Sequence, residues 1–478
     1  MKIKKIKFIL GIFAICLINA SCEDALSVSP KSEVKYDDLF SNKYGFKDQL
    51  TGVYTSLCSE DLYGANLTYG MMDALGQQYV WTQETGKYYS FNRFNYDNIN
   101  SVSVIENVWS KMYNTIANTN ILLKGLEDHK GILLEEEERI YKAEALALRA
   151  FLHFDLLRIF GGSYATGANE ESIPYVKSIS KEVTPFSTVS ETINLIIADL
   201  QEAASLLIND PIKGEVENTT FLGNREFHLN YYAVRALLAR AYLFKNDKSN
   251  AYQNAMEIIN SGKFPWVART KVTTPTRETR DGIFVTEGIF MLNNSKIDEL
   301  TGKYLREGQS EDKSNLLVIK PSVLNDIFET DRYGGFDWRY TYYFETQKEN
   351  FYGSTKLWQF RTMPTEYKNR QPLLSISEMY LIASECAPAK EEALNYFNTL
   401  RQHRGFDSGY DLQIEVTDKV LQNEIAKEYR KEFVGEGQWF FYCKRTDMDI
   451  IPNTIVPFAK SYYTLPIPDQ ENDYGTRN

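Results

Sequence analysis

Ala236-Leu237-Leu238-Ala239-Arg240-Ala241-Tyr242-Leu243, the polar turn Asn246-Asp247-Lys248-Ser249 and the run from Ala251 to Asn260 together decide the fold. Apolar and small residues recur at helical spacing on both sides of the turn, so the stretch from Tyr232 to Pro265 reads as two packed helices. Leu238, Ala239, Tyr242 and Ala251 occupy the spacing of the 34-residue tetratricopeptide pattern, in which small side chains let paired helices approach closely. A second, imperfect unit begins at Met379, with Leu381, Ile382 and Ala383 on one helix and Ala393, Phe397 and Leu400 on the next. Two copies so far apart do not make a regular array. They predict stacked helix pairs with long excursions between them.

Further helices are expected upstream. Tyr36 to Leu57 and Val108 to Leu126 carry apolar residues at helical spacing. From Ala143 to Phe160, Ala145, Leu148, Leu152, Leu156 and Ile159 form one apolar stripe, and Ala147, Phe151 and Phe154 form a second. That pattern predicts a helix buried on more than one side, stopped at Gly161-Gly162. Thr188-Val189-Ser190-Glu191 fits a capping box ahead of the periodic run Ile193 to Leu207. Two regions lack this period: residues 63–103, rich in Tyr, Gly, Asn and Thr, and residues 262–375. The latter contains β-like pieces at Gly282 to Val285, Gly288 to Leu292 and Lys356 to Arg361. The expected fold is mainly α: a tetratricopeptide-like helix-pair scaffold with long aromatic-rich loops and a few short β-strands, residues 36–478 forming one domain.

The chain has 478 residues, 43% hydrophobic, with 53 basic against 64 acidic side chains and a formal charge of −11. Such a chain buries a substantial core, and it offers no basic field to a nucleic-acid backbone. Lys2, Lys4, Lys5 and Lys7 precede the apolar run Phe8 to Ile18, too short for a permanent membrane span. Asn19-Ala20-Ser21-Cys22 follows, so residues 1–21 read as a lipoprotein signal peptide, Cys22 as the lipidated residue and residues 22–35 as a tether. Loss of residues 1–21 removes four lysines and no acid, taking the charge from −11 to −15. The remaining cysteines, Cys58, Cys386 and Cys443, are odd in number and without CxxC spacing, and buried free thiols are expected.

No catalytic signature stands out. The four histidines, His129, His153, His228 and His403, show no HExxH or paired-ligand spacing, and there is no Walker A loop or G-x-S-x-G elbow. His153 reads as a packing histidine and Glu135-Glu136-Glu137-Glu138 as a solvated helix start. No metal or cofactor is expected. A sugar, by contrast, packs its C–H face on an aromatic plane flanked by polar groups. The first irregular region offers Tyr79, Trp81, Tyr88 and Tyr89 beside Gln77, Gln78 and Arg93; the second offers Trp266, Trp338, Tyr340, Tyr342, Tyr343 and Tyr352. Trp81 leads this set because its surroundings are polar and aperiodic. Trp109, Trp358 and Trp439 sit in regular pattern and read as core.

Several stretches together resemble the SusD/RagB family of surface lipoproteins from Bacteroidota. They are Glu144 to Phe154 running into Leu157-Arg158-Ile159-Phe160-Gly161-Gly162, then Ala236 to Leu243 with Ile258 to Gly262, Glu378 to Glu385, Leu400-Arg401 with Arg404-Gly405, and Leu465-Pro466-Ile467-Pro468. The chain departs from the family pattern after Glu436-Gly437, where Gln438-Trp439-Phe440 replaces an Arg-containing run. The resemblance implies a lipid anchor at the outer membrane, capture of oligosaccharides or in some members peptides, delivery to a SusC-type TonB-dependent transporter, and no enzymatic activity. A helical-repeat scaffold without a small ligand and a secreted glycoside hydrolase are the alternatives.

Overall fold

The computed structural model describes residues 35–80, 83–214 and 221–474. The signal peptide, Cys22 and the tether up to residue 34 lie outside them, as does Trp81. Among the described residues, ten of the twelve helices of eight residues or more carry the scaffold and its C-terminal end: α1 Lys43–Leu57, α2 Ile99–Asp128, α3 Glu135–Phe160, α4 Val189–Leu206, α5 Tyr231–Phe244, α6 Lys248–Ser261, α7 Ile376–Cys386, α8 Lys390–Gln402, α9 Asp418–Glu432 and α10 Gln438–Arg445; the other two, Ile297–Leu305 and Pro321–Phe328, lie in the second irregular region. Six short strands form three antiparallel pairs: β1 Glu171–Pro174 with β2 Phe186–Thr188, β3 Gly288–Asn293 with β6 Arg370–Ser375, and β4 Phe344–Thr346 with β5 Tyr352–Ser354.

Each helix from α1 to α8 packs on the next. The pairs α5–α6 and α7–α8 are the two tetratricopeptide-like units, and α6 lies directly on α7 although residues 262–375 intervene in sequence. The whole second irregular region is therefore an excursion between neighbouring helices. Its base is closed by the β3–β6 ladder, which runs straight into α7. Arg240 of α5 grips Glu378 of α7 through two bonds of 2.6 Å, which locks the units in register. Ala239 and Ala241 of α5 and Ala251 and Ala255 of α6 are all fully buried, and α5 and α6 pack on each other, the close approach that small residues permit. Gly262 ends α6 with φ +63°, a conformation that glycine adopts without strain.

The N-termini follow elementary capping chemistry. Thr188 Oγ1 accepts from the Glu191 N–H at 3.2 Å, and the Glu191 carboxylate accepts from the Thr188 N–H at 2.9 Å, completing the expected box. At the other end of α3, Gly161 is extended (φ −89°, ψ 167°) rather than left-handed, so its role is spatial. A Cβ there would lie 2.8 Å from Leu157 Cδ1. The buried Lys444 side chain donates to the carbonyls of Arg158 (2.7 Å) and Gly161 (2.6 Å) at the C-terminal end of α3, and burial, with Arg158 nearby, pushes it down to about 7.

Several expectations change at the level of elements. Gly282 to Val285 and Lys356 to Arg361 form turns, and of the three β-like pieces only Gly288 to Leu292 is a strand. Cys58, Cys386 and Cys443 are buried and free. Trp109, Trp358 and Trp439 belong to the main hydrophobic core.

Candidate functional site

The two irregular regions meet along a seam. Val80 donates its N–H to the Val318 carbonyl at 2.9 Å, and the next residue, Ile319, exchanges bonds of 2.8 and 2.9 Å with Tyr352 of β5. Lys87 N–H donates to Asn315 Oδ1 at 2.8 Å. Beneath, the Glu60 carboxylate accepts from Lys87 Nζ at 2.6 Å, from Lys303 Nζ at 2.9 Å and from the Tyr304 hydroxyl. Burial alone would raise this carboxyl, but these donors outweigh it and bring it down to about 2. The seam therefore carries a permanent anion that ties residues from both regions together.

The seam corrects part of the proposed aromatic platform. Tyr79 (1% exposed) and Tyr88 (0%) face inward. The Tyr88 hydroxyl donates to Asn66 Oδ1 at 2.7 Å, and its ring lies 5.6 Å from Tyr304. The chain coils around it: a Cβ on Gly70 would come within 2.6 Å of the Tyr88 hydroxyl. Gln77 and Gln78 are buried with them. These residues build the inner layer of the loop region and do not present a surface to ligand. Tyr89 and Arg93 remain half exposed as a stacked pair, the guanidinium 3.4 Å from the ring centroid and donating to the Tyr89 carbonyl at 3.2 Å.

In the second region packing accounts for much of what was proposed as binding surface. Trp266 is half-buried, stacked on His403 at 4.6 Å and tilted against Tyr380 at 4.8 Å. Trp338 lies against Gly405, whose Cβ would meet its Cδ1 at 2.5 Å, and its N–H donates to the Arg404 carbonyl. Tyr340 donates to Asn325 Oδ1 at 3.2 Å, with its ring 5.8 Å from Phe328. Asp337 and Arg339 form a structural ion pair. Arg339 also reaches Glu428 and Glu432 at 2.8 Å, and Arg404 bridges Glu432 and Glu287. This buried lattice pins the excursion to α8 and α9. His153 is likewise structural: Nδ1 donates to the Arg149 carbonyl, Nε2 accepts from the Val176 N–H, and burial pushes it down to about 3.

Tyr342 is among the rings offered from the sequence and Trp358 is read there as core, but the arginines that gather around them are missed. Arg277 and Arg306 lie over the rings of Trp358 (5.5 and 4.9 Å) and Phe360 (5.2 and 5.1 Å), and Arg280 lies 4.9 Å over Tyr342. Arg277 also pairs with Glu345 of β4, which carries the cluster to the seam through β5. A groove of about 740 Å³ lies elsewhere, between α2, α3 and α4. Its floor residue Arg149 is already committed to Asp199, Asn120 and the Lys177 carbonyl. Among the described residues no group of His, Cys, Asp or Glu could hold a metal ion, and no helix is long and apolar enough to cross a membrane.

Residues 26–243 match a family described as "Starch-binding associating with outer membrane", and residues 331–450 match the "SusD family". A "SusD-like protein P2" from Formosa agariphila is 22% identical over 98% of this chain and 97% of its own length. Among solved structures, a SusD superfamily protein from Bacteroides vulgatus superposes with TM-score 0.71 at 22% identity, over 91% of this chain and 98% of the other. Surface glycan-binding protein A from Bacteroides thetaiotaomicron does so with TM-score 0.68 at 16% identity, over 92% and 98%. The chain belongs to the SusD/RagB family, whose members are nutrient-binding proteins associated with the outer membrane.

Proposed function

We propose that this protein is a lipoprotein anchored through Cys22 at the outer membrane, facing the cell exterior, that captures oligosaccharides and delivers them to a SusC-type TonB-dependent transporter. It binds its ligand and does not transform it. The observation that carries this reading is the Val80–Val318 seam, which joins the two aromatic-rich irregular regions to each other. Tyr89 with Arg93 in the first region, and Tyr342 with Phe360 in the second, are half-exposed, and Trp81 adjoins Val80 in sequence. The anchor end lies apart. Tyr36, next to the tether, bonds to Asp128 at the C-terminus of α2 and so sits by the start of α1, whereas the seam begins beyond its end. At 1.5 Å per residue α1 separates the two by about 20 Å.

Two measurements test the reading. Titration with a panel of oligosaccharides and peptides is expected to give saccharide binding with Kd in the micromolar to millimolar range, ~4–8 kcal/mol. Affinity purification from the native membrane is expected to recover a barrel transporter. Peptide binding in place of saccharide binding would redirect the proposal within the family, and recovery of no transporter would remove the delivery step.

A further inference from the structure

We infer that the cleft lined by Arg277, Arg280, Tyr342, Trp358 and Phe360 is a subsite for an acidic sugar, one that bears a carboxylate or a sulfate ester. The inference rests on the saccharide-capture reading above and names the class of ligand.

Three guanidinium groups converge here on three aromatic rings, and carboxylates answer only two of them. Arg277 pairs with Glu345 and lies 3.8 Å from Glu278; Arg306 meets Asp298 at 3.3 Å. Arg280 has no carboxylate within ion-pair distance among the described residues. It donates only to the backbone carbonyls of Tyr342 and Thr274, each at 3.0 Å. Lys356, also on the lining, is taken by Glu436. The Nε atoms of Arg277, Arg280 and Arg306 and the Nε1 of Trp358 are buried without hydrogen-bond partners. Arg306 (8% exposed) and Trp358 (7%) are themselves more than nine-tenths buried.

Such an arrangement is costly without an anion. Burial holds Arg280 and Arg306 below the ordinary guanidinium value, and the neighbouring Arg277 adds repulsion to both. A carboxylate or sulfate oxygen would relieve that repulsion and answer the half-exposed Arg280 guanidinium in charge-assisted bonds, for which arginine is better suited than lysine. The enclosed space is about 20 Å³, room for one small polar group and not for a ring. The sugar ring would therefore lie outside, its C–H face on the half-exposed Tyr342 and Phe360, with the charged substituent pointing inward. A neutral sugar would leave Arg280 unanswered.

The test is isothermal titration of the detergent-solubilised mature lipoprotein with oligogalacturonate, its carboxyl-reduced counterpart, a sulfated galactan oligosaccharide and its desulfated counterpart. At least one acidic ligand is expected to bind about ten-fold or more tightly than its neutral counterpart, with a preference that falls as salt is raised. Arg280→Gln is expected to bring the affinity for the acidic ligand down to that for its neutral counterpart, with the melting temperature followed alongside to confirm the fold. Equal affinities for acidic and neutral ligands in the unsubstituted protein would overturn the inference and leave saccharide capture standing, as would a preference that survives Arg280→Gln. Failure to bind any saccharide would overturn the capture reading itself.

Discussion

Val80 and Val318 are joined by one antiparallel bridge, the Val80 N–H 2.9 Å from the Val318 carbonyl. Through that contact a loop following α1 becomes the neighbour of a strand-like segment more than two hundred residues later. Glu60, with its two lysines and the Tyr304 hydroxyl, braces the contact from below. Glu60→Ala is expected to cost about 1–2 kcal/mol, since the site is partly solvated and its partners can rehydrate. Amide exchange at Val80 should accelerate. Unchanged exchange would show that the bridge stands without its brace.

The ion lattice around Arg404 is a harsher test. Its guanidinium is fully buried and donates to Glu287 at 2.7 and 3.1 Å and to Glu432 at 2.6 and 2.9 Å. Arg404→Met leaves two buried carboxylates short of a partner, and about 3–5 kcal/mol of stability should be lost in urea unfolding. Arg404→Lys should rescue little, because a single ammonium cannot span both carboxylates in the fork geometry. A loss below about 1 kcal/mol for Arg404→Met would mean the carboxylates escape to water.

Acid stability follows from the same chemistry. Burial pushes the Glu144 carboxyl up, but Arg225 and His228 outweigh it and hold it at about 2, against an ordinary 4.5. Glu428 and Glu432 are likewise held low by their arginines and Lys431 or Lys356. Between these values the unfolded chain binds protons that the folded one refuses, so this stability is complete above pH 4.5 and drains away as pH falls toward 2. Urea unfolding at a series of pH values should show that slope, shallower in Glu144→Gln. A flat profile across the window would contradict it.

How much of this was visible in the sequence depends on where each residue's partner lies. The period of Ala143 to Phe160 and the capping box at Thr188 are local signals, and both elements form as read. The stacking of α6 on α7 followed from recognising two similar helix pairs. Tyr79 and Tyr88 misled because a polar, glycine-rich stretch normally coats a surface. Here Gly70 lets the chain fold over Tyr88, whose neighbour Tyr304 is far along the sequence. The Arg277–Trp358 cluster was hidden for the same reason. Its members span about eighty residues, and neither the arginines nor Phe360 carries a periodic signal.

Trp81 is the residue whose removal speaks most plainly about binding. If its ring stacks on sugar, Trp81→Ala should weaken saccharide binding by about 1–3 kcal/mol without loss of thermal stability. An unchanged affinity would remove Trp81 from the platform and shift attention to Tyr89, Tyr342 and Phe360.

The central claim is capture without conversion, and one measurement addresses it most directly. The lipoprotein is titrated calorimetrically with an oligosaccharide panel, and each mixture is then held overnight and its saccharides sized by chromatography. The account predicts saturable heat for at least one saccharide and recovery of that saccharide at its original length. Shortened products, or no heat with any member of the panel, would contradict it.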